Sequence, residues 1–237
     1  MIPKTIHYCW FGKSPLPLSV RNNIGTWRKY LPDFKIKEWN ESNFDVEMMP
    51  YTSEAYFAKK YAFVSDVARL YALVTEGGLY LDTDMIFLKS IPDSFLRVPA
   101  FAGIESEKYV ATSLLASIPN HPIFSVFLNN YKKCHYFELF KFSRQTNVHK
   151  LQELLLKKGF NPCNKEQYIA DLKIYPQEYF CNKNYKTGSY YNTDISYAIH
   201  DFSGTWNDSP RTRIKRIKNR FKQVSIILDY NLLRLFK

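Results

Sequence analysis

The sequence predicts an α/β protein built on a mostly parallel sheet flanked by helices. Three observations predict it. Short apolar or alternating runs recur between segments of helical periodicity, the order that strand–helix–strand units produce. A Gly77-Gly78 pair stops one helical segment and leads at once into Leu79-Tyr80-Leu81, a short buried strand. Two acids, Asp82 and Asp84, follow that strand directly, and in open α/β sheets ligands bind beyond the carboxyl ends of the strands.

Residues 2–10 read as a buried strand, and Gly12 through Pro17 as a loop, because Gly and Pro break both periodicities. Leu18 to Tyr30 sets Val20, Ile24 and Trp27 on one helical face, and Pro32 ends it. Lys35 to Trp39 alternates like a strand, and Thr52 to Lys60 reads as a helix. A further helix is expected to start at Ser65 as its N-cap, with Val67, Leu70, Tyr71 and Val74 as the apolar stripe. Met85 to Leu88, Ala100 to Ile104 and Val110 to Ala116 are strand segments. His121 to Tyr136 and Thr146 to Lys158 are helical, and Lys173 to Tyr175 and Ile195 to His200 are short extended pieces. Pro210 to Leu235 forms a basic, amphipathic, helical tail. The expected division is therefore an α/β domain over residues 1–207 and a tail over 208–237.

A chain of 237 residues forms one core with at most a small appendage. Aromatic residues at 17% exclude a disordered chain. Most of them fill the core, and some suit stacking on a sugar or a base. Cys9, Cys134, Cys163 and Cys181 lack C-x-x-C spacing, which speaks against zinc. No secretory leader pattern opens the chain, and no apolar run is long enough to cross a bilayer. A cytoplasmic protein with reduced thiols is expected. From Asn207 onward nine basic residues face two acids, most of the net charge of +11. With Ile214, Ile217, Phe221 and Val224 interleaved, and with Ile226, Ile227, Leu228, Leu232 and Leu233 following, the tail suits contact with an anionic membrane surface at the cytoplasmic face. Packing of one apolar face on the domain is the alternative. No nucleic-acid motif accompanies the charge, so no nucleic-acid partner is expected.

Asp-x-Asp by itself is common in solvated turns. Delivered from an apolar strand, its carboxylates repel each other and lose hydration, and a divalent cation relieves both costs. Hard oxygen ligands select Mn²⁺ or Mg²⁺ over zinc. In an extended segment, i and i+2 point to one side. One acid then holds the metal while the other reaches a ribose hydroxyl or a metal-bound water. Upstream, Asp66 and Arg69 stand one helical turn apart. They form either an ordinary ion pair or a carboxylate that accepts sugar hydroxyls, fixed by the arginine.

Ser65-Asp66-x-x-Arg69-x-Tyr71-Ala72-Leu73 followed by Gly77-Gly78-x-Tyr80-x-Asp82-x-Asp84 resembles the signature of glycosyltransferase family thirty-two. Ile2-Pro3-Lys4-x-Ile6-His7-x-x-Trp10-Phe11-Gly12 is similar to the opening strand of that family, and His200-x-x-x-Gly204-Thr205-Trp206 to its closing motif. The family holds bacterial capsule and lipopolysaccharide sugar transferases, yeast initiating mannosyltransferases and glucosylating clostridial toxins. The resemblance implies a GT-A fold, a nucleotide-diphosphate sugar donor, a divalent cation and retention of anomeric configuration. It assigns Trp10 to stacking on the donor base, and Asp66 and Arg69 to the donor sugar. Tyr80 falls near the ribose or phosphate, with a core position as the alternative. Asp82 falls at the ribose and water-mediated metal position, Asp84 at the direct metal position, and His200 at a third metal position, a structural histidine being the alternative. Trp206 closes over the phosphates, and Thr205 stands where the family usually has Ser. Asp66, Arg69, Asp82 and Asp84 are thus the expected catalytic set.

His7 is expected to be structural and Glu105 to face the acceptor. The expected activity is hexose transfer, from a UDP-sugar in the first instance, to a glycan acceptor. That acceptor is expected to be a lipid-linked oligosaccharide in bacterial surface polysaccharide synthesis. GDP-mannose as donor, a metal-dependent phosphoesterase or glycosidase, and a basic nucleic-acid-binding module are the competing expectations.

Overall fold

The structure, a computed structural model, describes residues 1–106, 108–138, 141–142, 146–184, 187–190, 194–202 and 213–235. In chain order the elements are β1 (Thr5–Cys9), α1 (Leu18–Tyr30), β2 (Lys35–Trp39), α2 (Pro50–Phe57), α3 (Tyr61–Glu76), β3 (Gly78–Leu81), β4 (Met85–Phe87), β5 (Ala100–Ser106) and β6 (Tyr109–Ser117). They continue with α4 (Pro122–Tyr131), β7 (Phe137–Glu138), β8 (Lys141–Phe142), α5 (Asn147–Leu156), β9 (Gln167–Ile169), β10 (Leu172–Tyr175), α6 (Gln177–Phe180), β11 (Ala198–His200) and α7 (Arg213–Leu235).

Seven strands form the central sheet in the order β2-β1-β3-β6-β5-β10-β9. Strands β2, β1, β3, β5 and β10 run one way, and β6 and β9 run against them. The mostly parallel α/β expectation therefore holds, with β6 antiparallel because only a tight connection joins it to β5. Side chains alternate across the sheet as strand geometry demands. Tyr80 enters the core under α2–α5, whereas Leu79 and Leu81 enter the core under α1. Because β1, β2 and β3 are parallel, their carboxyl ends share one edge. Trp10, Asn40 and Asp82 all follow those ends.

The Gly-Gly stop has a steric reason. Gly78 has φ +105°, and a Cβ there would lie 2.5 Å from the Thr5 carbonyl oxygen, a contact that only glycine avoids. Against this turn packs His7, fully buried, with Nε2 2.7 Å from the Gly77 carbonyl and Nδ1 accepting from Trp39 Nε1 at 3.0 Å. The imidazole is thus a neutral staple, as expected of a structural histidine, and burial keeps its pKa below the ordinary value.

Helix α2 runs Pro50–Phe57 rather than Thr52 to Lys60, and two other helix boundaries differ from expectation by a turn or more. Ser65 is not an N-cap. Helix α3 begins one turn earlier, at Tyr61, and Ser65 Oγ donates back to the Tyr61 carbonyl at 3.1 Å. The apolar stripe simply extends back through Val64. Helix α4 ends at Tyr131 rather than Tyr136. The backbone amides of Tyr136 and Phe137 instead donate to the buried Glu54 carboxylate at 2.8 and 2.9 Å, which pulls the chain out of helical geometry.

The expected boundary between residues 207 and 208 lies outside the described residues. Helix α7 docks part of its length on the domain. Ile227 joins the core, and Tyr230 packs on Phe57 and Phe137 with its hydroxyl 2.5 Å from Ser53 Oγ. Among the described residues, no helix is long and apolar enough to cross a membrane.

Candidate active site

The Asp82–Asp84 pair sits in a tight turn, not in the extended segment expected from its spacing. Asp82 N–H donates to the Ser113 carbonyl at 2.8 Å, and Met85 N–H returns to the Asp82 carbonyl at 3.0 Å. Asn23 Nδ2 holds the Thr83 carbonyl at 2.9 Å, and Trp27 Nε1 the Met85 carbonyl at 2.8 Å. The turn is thereby fixed by α1 on one side and β6 on the other.

Strand β11 brings in the third member. It pairs antiparallel with β4, setting His200 opposite Met85, and Asp201 N–H donates to the Asp84 carbonyl at 3.0 Å. His200 Nε2 then lies 3.3 Å from Asp84 Oδ1. One ligand atom each from Asp82, Asp84 and His200 lie within 4.8 Å of one another. Burial works against protonation of His200, yet Asp84 and Cys181 hold its pKa well above the usual value. Two carboxylates this close draw positive charge into the site, as a proton or as a cation.

Behind the pair lies Arg69, buried at the level of a core residue. Its Nη1 donates to the Thr112 carbonyl at 2.7 Å and lies 3.3 Å from Asp82 Oδ1. Nη2 donates to Asp66 Oδ1 at 3.1 Å, and Nε to the Ser65 carbonyl at 3.2 Å. The expected Asp66–Arg69 pair is therefore real, and Arg69 links it to Asp82. Tyr80 is buried, its hydroxyl donates to Asp82 Oδ1 at 2.8 Å, and its ring lies 4.6 Å from the Arg69 guanidinium.

Asp66 is buried and also accepts from Asn147 Nδ2 at 2.7 Å. Burial pushes its pKa up to about 7, with Arg69 opposing. Glu105, at the end of β5, is half-buried. Burial raises its pKa, His200 opposes, and Asp82 and Asp84 add to the rise, so this acid shares the field of the cluster. Trp10 follows β1 and lines an open cleft with Lys13, Ser14, Glu38, Asn40, Glu41 and Ser42, its indole N–H donating to the Ser14 carbonyl at 2.6 Å.

The structure thus brings together Asp66, Arg69, Tyr80, Asp82, Asp84 and His200. Thr205 and Trp206 lie outside the described residues. Sequence reasoning missed Asn147, because Thr146-Asn147 reads as an ordinary helix start, and Thr146 is indeed the cap of α5. It also missed the carbonyls of Thr112 and Ser113, which no side-chain pattern announces.

With the buried Asp–Arg pair set behind the acid–acid–histidine cluster at the strand ends, comparison with known proteins shows the class: the chain is a glycosyltransferase. Residues 17–102 match the family described as a glycosyltransferase sugar-binding region containing a DXD motif. Asp82 and Asp84 are the two acids of that motif.

An uncharacterized glycosyltransferase of Acanthamoeba polyphaga mimivirus is 27% identical over 238 residues, covering 92% of this chain and 88% of that protein. Inositol phosphoceramide mannosyltransferase 2 of Schizosaccharomyces pombe is 26% identical over 137 residues, covering 56% of this chain and 39% of that protein. Among solved structures, the PaToxG glycosyltransferase superposes with a TM-score of 0.47 at 21% identity, covering 67% of this chain and 70% of that one.

Proposed function

We propose that the chain transfers a hexose from a nucleotide-diphosphate sugar, UDP-linked in the first reading, to a hydroxyl of a glycan acceptor with retention of configuration. The observation that carries this is the convergence of Asp82, Asp84 and His200 within 4.8 Å beside the Asp66–Arg69 pair. Two carboxylates and an imidazole fit Mn²⁺ or Mg²⁺. A divalent cation held there supplies the positive charge that stabilises a departing diphosphate.

The chain's own residues do the rest. Trp10 stacks on the base at the open cleft. Asp66 accepts sugar hydroxyls, fixed from behind by Arg69 and Asn147. Tyr80 and Arg69 aim Asp82. On resemblance, Trp206 closes over the phosphates and Thr205 offers them its hydroxyl. With retention, the acceptor proton passes to the departing phosphate oxygen on the same face, so no side chain is assigned as a base. Residues 1–207 form the catalytic unit and 208–237 an appended element. The acceptor is read as a lipid-linked glycan of bacterial surface polysaccharide synthesis at the cytoplasmic face, supported by the basic tail. Mannose from GDP-mannose is a second reading, favoured by the name of the yeast relative.

The test is a panel of nucleotide-sugars with Mn²⁺, with and without glycan acceptor. Acceptor-dependent product is expected from wild type and absent from Asp84→Asn. Near-normal transfer by that variant refutes the site, and hydrolysis that no acceptor diverts into product refutes the transferase reading in favour of a hydrolase.

A further inference from the structure

Helix α7 carries two separate apolar faces, and the domain covers one of them. Ile227 and Tyr230, at i and i+3, are buried, with Ile226 packed against the core. Leu228 and Leu232, at i and i+4, stand on another face, roughly 100° round the helix from Ile227. They are 49% and 55% exposed, and Leu233 is 57% exposed. Single exposed leucines are ordinary. Three within one and a half turns, on a helix already docked by its other side, ask for a partner.

The charge of the helix selects that partner. Arg213–Leu235 contains seven basic residues and one acid, Asp229. Exposed leucines on a basic helix match the two layers of an anionic bilayer surface, the acyl boundary and the negative headgroups. A protein groove would have to supply both the apolar slot and a matching acidic rim. We infer that the outer face of α7 is a docking surface for an anionic lipid bilayer, with Leu228 and Leu232 entering the interface and the net positive charge of the helix sequence drawing it to the negative headgroups.

The inner face stays on the domain, so the helix binds without detaching. Its contact with Phe137 sets the lipid-facing helix against the segment that leads into α5 and Asn147. The inference does not depend on the identity of the donor or on the metal.

The experiment uses the full chain and sedimentation with two vesicle types, phosphatidylcholine alone and phosphatidylcholine mixed with phosphatidylglycerol. Wild type is expected to pellet with the anionic vesicles and to remain in solution with the neutral ones. Leu228→Glu/Leu232→Glu, at exposed positions, is expected to keep the wild-type circular dichroism and unfolding curve and to lose about tenfold or more in vesicle affinity. Equal affinity of this variant and wild type overturns the proposal. So does equal binding to both vesicle types, or no binding by wild type. Light scattering covers the remaining outcome: a wild-type dimer that the double variant dissolves makes this face a self-association surface and also overturns the proposal.

Discussion

Replacing Arg69 by methionine tests the arrangement at its centre. The side chain keeps much of its volume but loses the charge, and two carboxylates lose their buried partner. Asp66 Oδ1 at 3.1 Å and Asp82 Oδ1 at 3.3 Å both depend on this guanidinium. Removing one side of a buried pair costs about 3–5 kcal/mol. For a chain of this size that lowers Tm by roughly 10 °C. The cost is itself pH-dependent, because Asp66 already has a pKa of about 7. Without Arg69 it rises further, so below that pH Asp66 sheds its charge by taking a proton and the penalty shrinks. The assay is thermal unfolding of both proteins at about pH 8 and about pH 5, the two sides of that titration. A large loss at the higher pH and a smaller one at the lower are expected. Arg69→Lys retains the charge but not the fork that reaches both acids, and falls between. A Tm within about 2 °C of wild type at the higher pH, or equal losses at the two, refutes the idea that Arg69 holds two ionised acids in place.

Asn147→Ala removes the 2.7 Å bond to Asp66; kcat/KM for the donor is expected to fall about tenfold and stability by about 1 kcal/mol. A fall in stability with unchanged kinetics would make Asn147 a helix-start residue alone. Asp66 also sets a slope in stability against pH. Its pKa is raised from 3.8 to about 7, so the folded chain holds this proton more tightly than the unfolded one. The group's contribution is most favourable below the lower value, is lost as pH climbs to about 7, and is flat above. Asp66→Asn removes that descent, a difference of order 4 kcal/mol, and urea unfolding across the window with parallel curves for the two proteins would show that the acid is not buried as described.

The parts of the site that could be read in the sequence are those whose geometry is local. Asp66 and Arg69 share a helix, and one turn of α3 suffices to pair them. Asp82 and Asp84 share a turn that a buried strand delivers. Even here the reason differed from the expectation: a turn closed by Met85 N–H onto the Asp82 carbonyl, not strand geometry, sets the two acids near each other. His200 was legible only through a motif, since nothing in its own surroundings announces the pairing of β11 with β4. Ser65 misled because a good capping residue stood inside an apolar stripe that continued past it. In α7 the periodicity shows apolar residues on more than one side, but only Ser53, Phe57 and Phe137, distant in the chain, decide which side docks.

The orientation of Arg69 bears on where the positive charge for a diphosphate comes from. Nε donates to the Ser65 carbonyl, Nη1 donates to the Thr112 carbonyl and also faces Asp82, and Nη2 faces Asp66. A guanidinium held on four sides is poorly placed to swing toward a phosphate, because each bond released leaves a buried carbonyl or acid unpaired, at about 1–3 kcal/mol apiece. Its charge is therefore spent on the two acids. The charge that meets a diphosphate has to enter on the other side of Asp82, where Asp84 and His200 converge. Under the proposed function, Arg69 therefore acts on the donor through Asp66 and Asp82, and the acids at the turn would set where a cation and a phosphate meet.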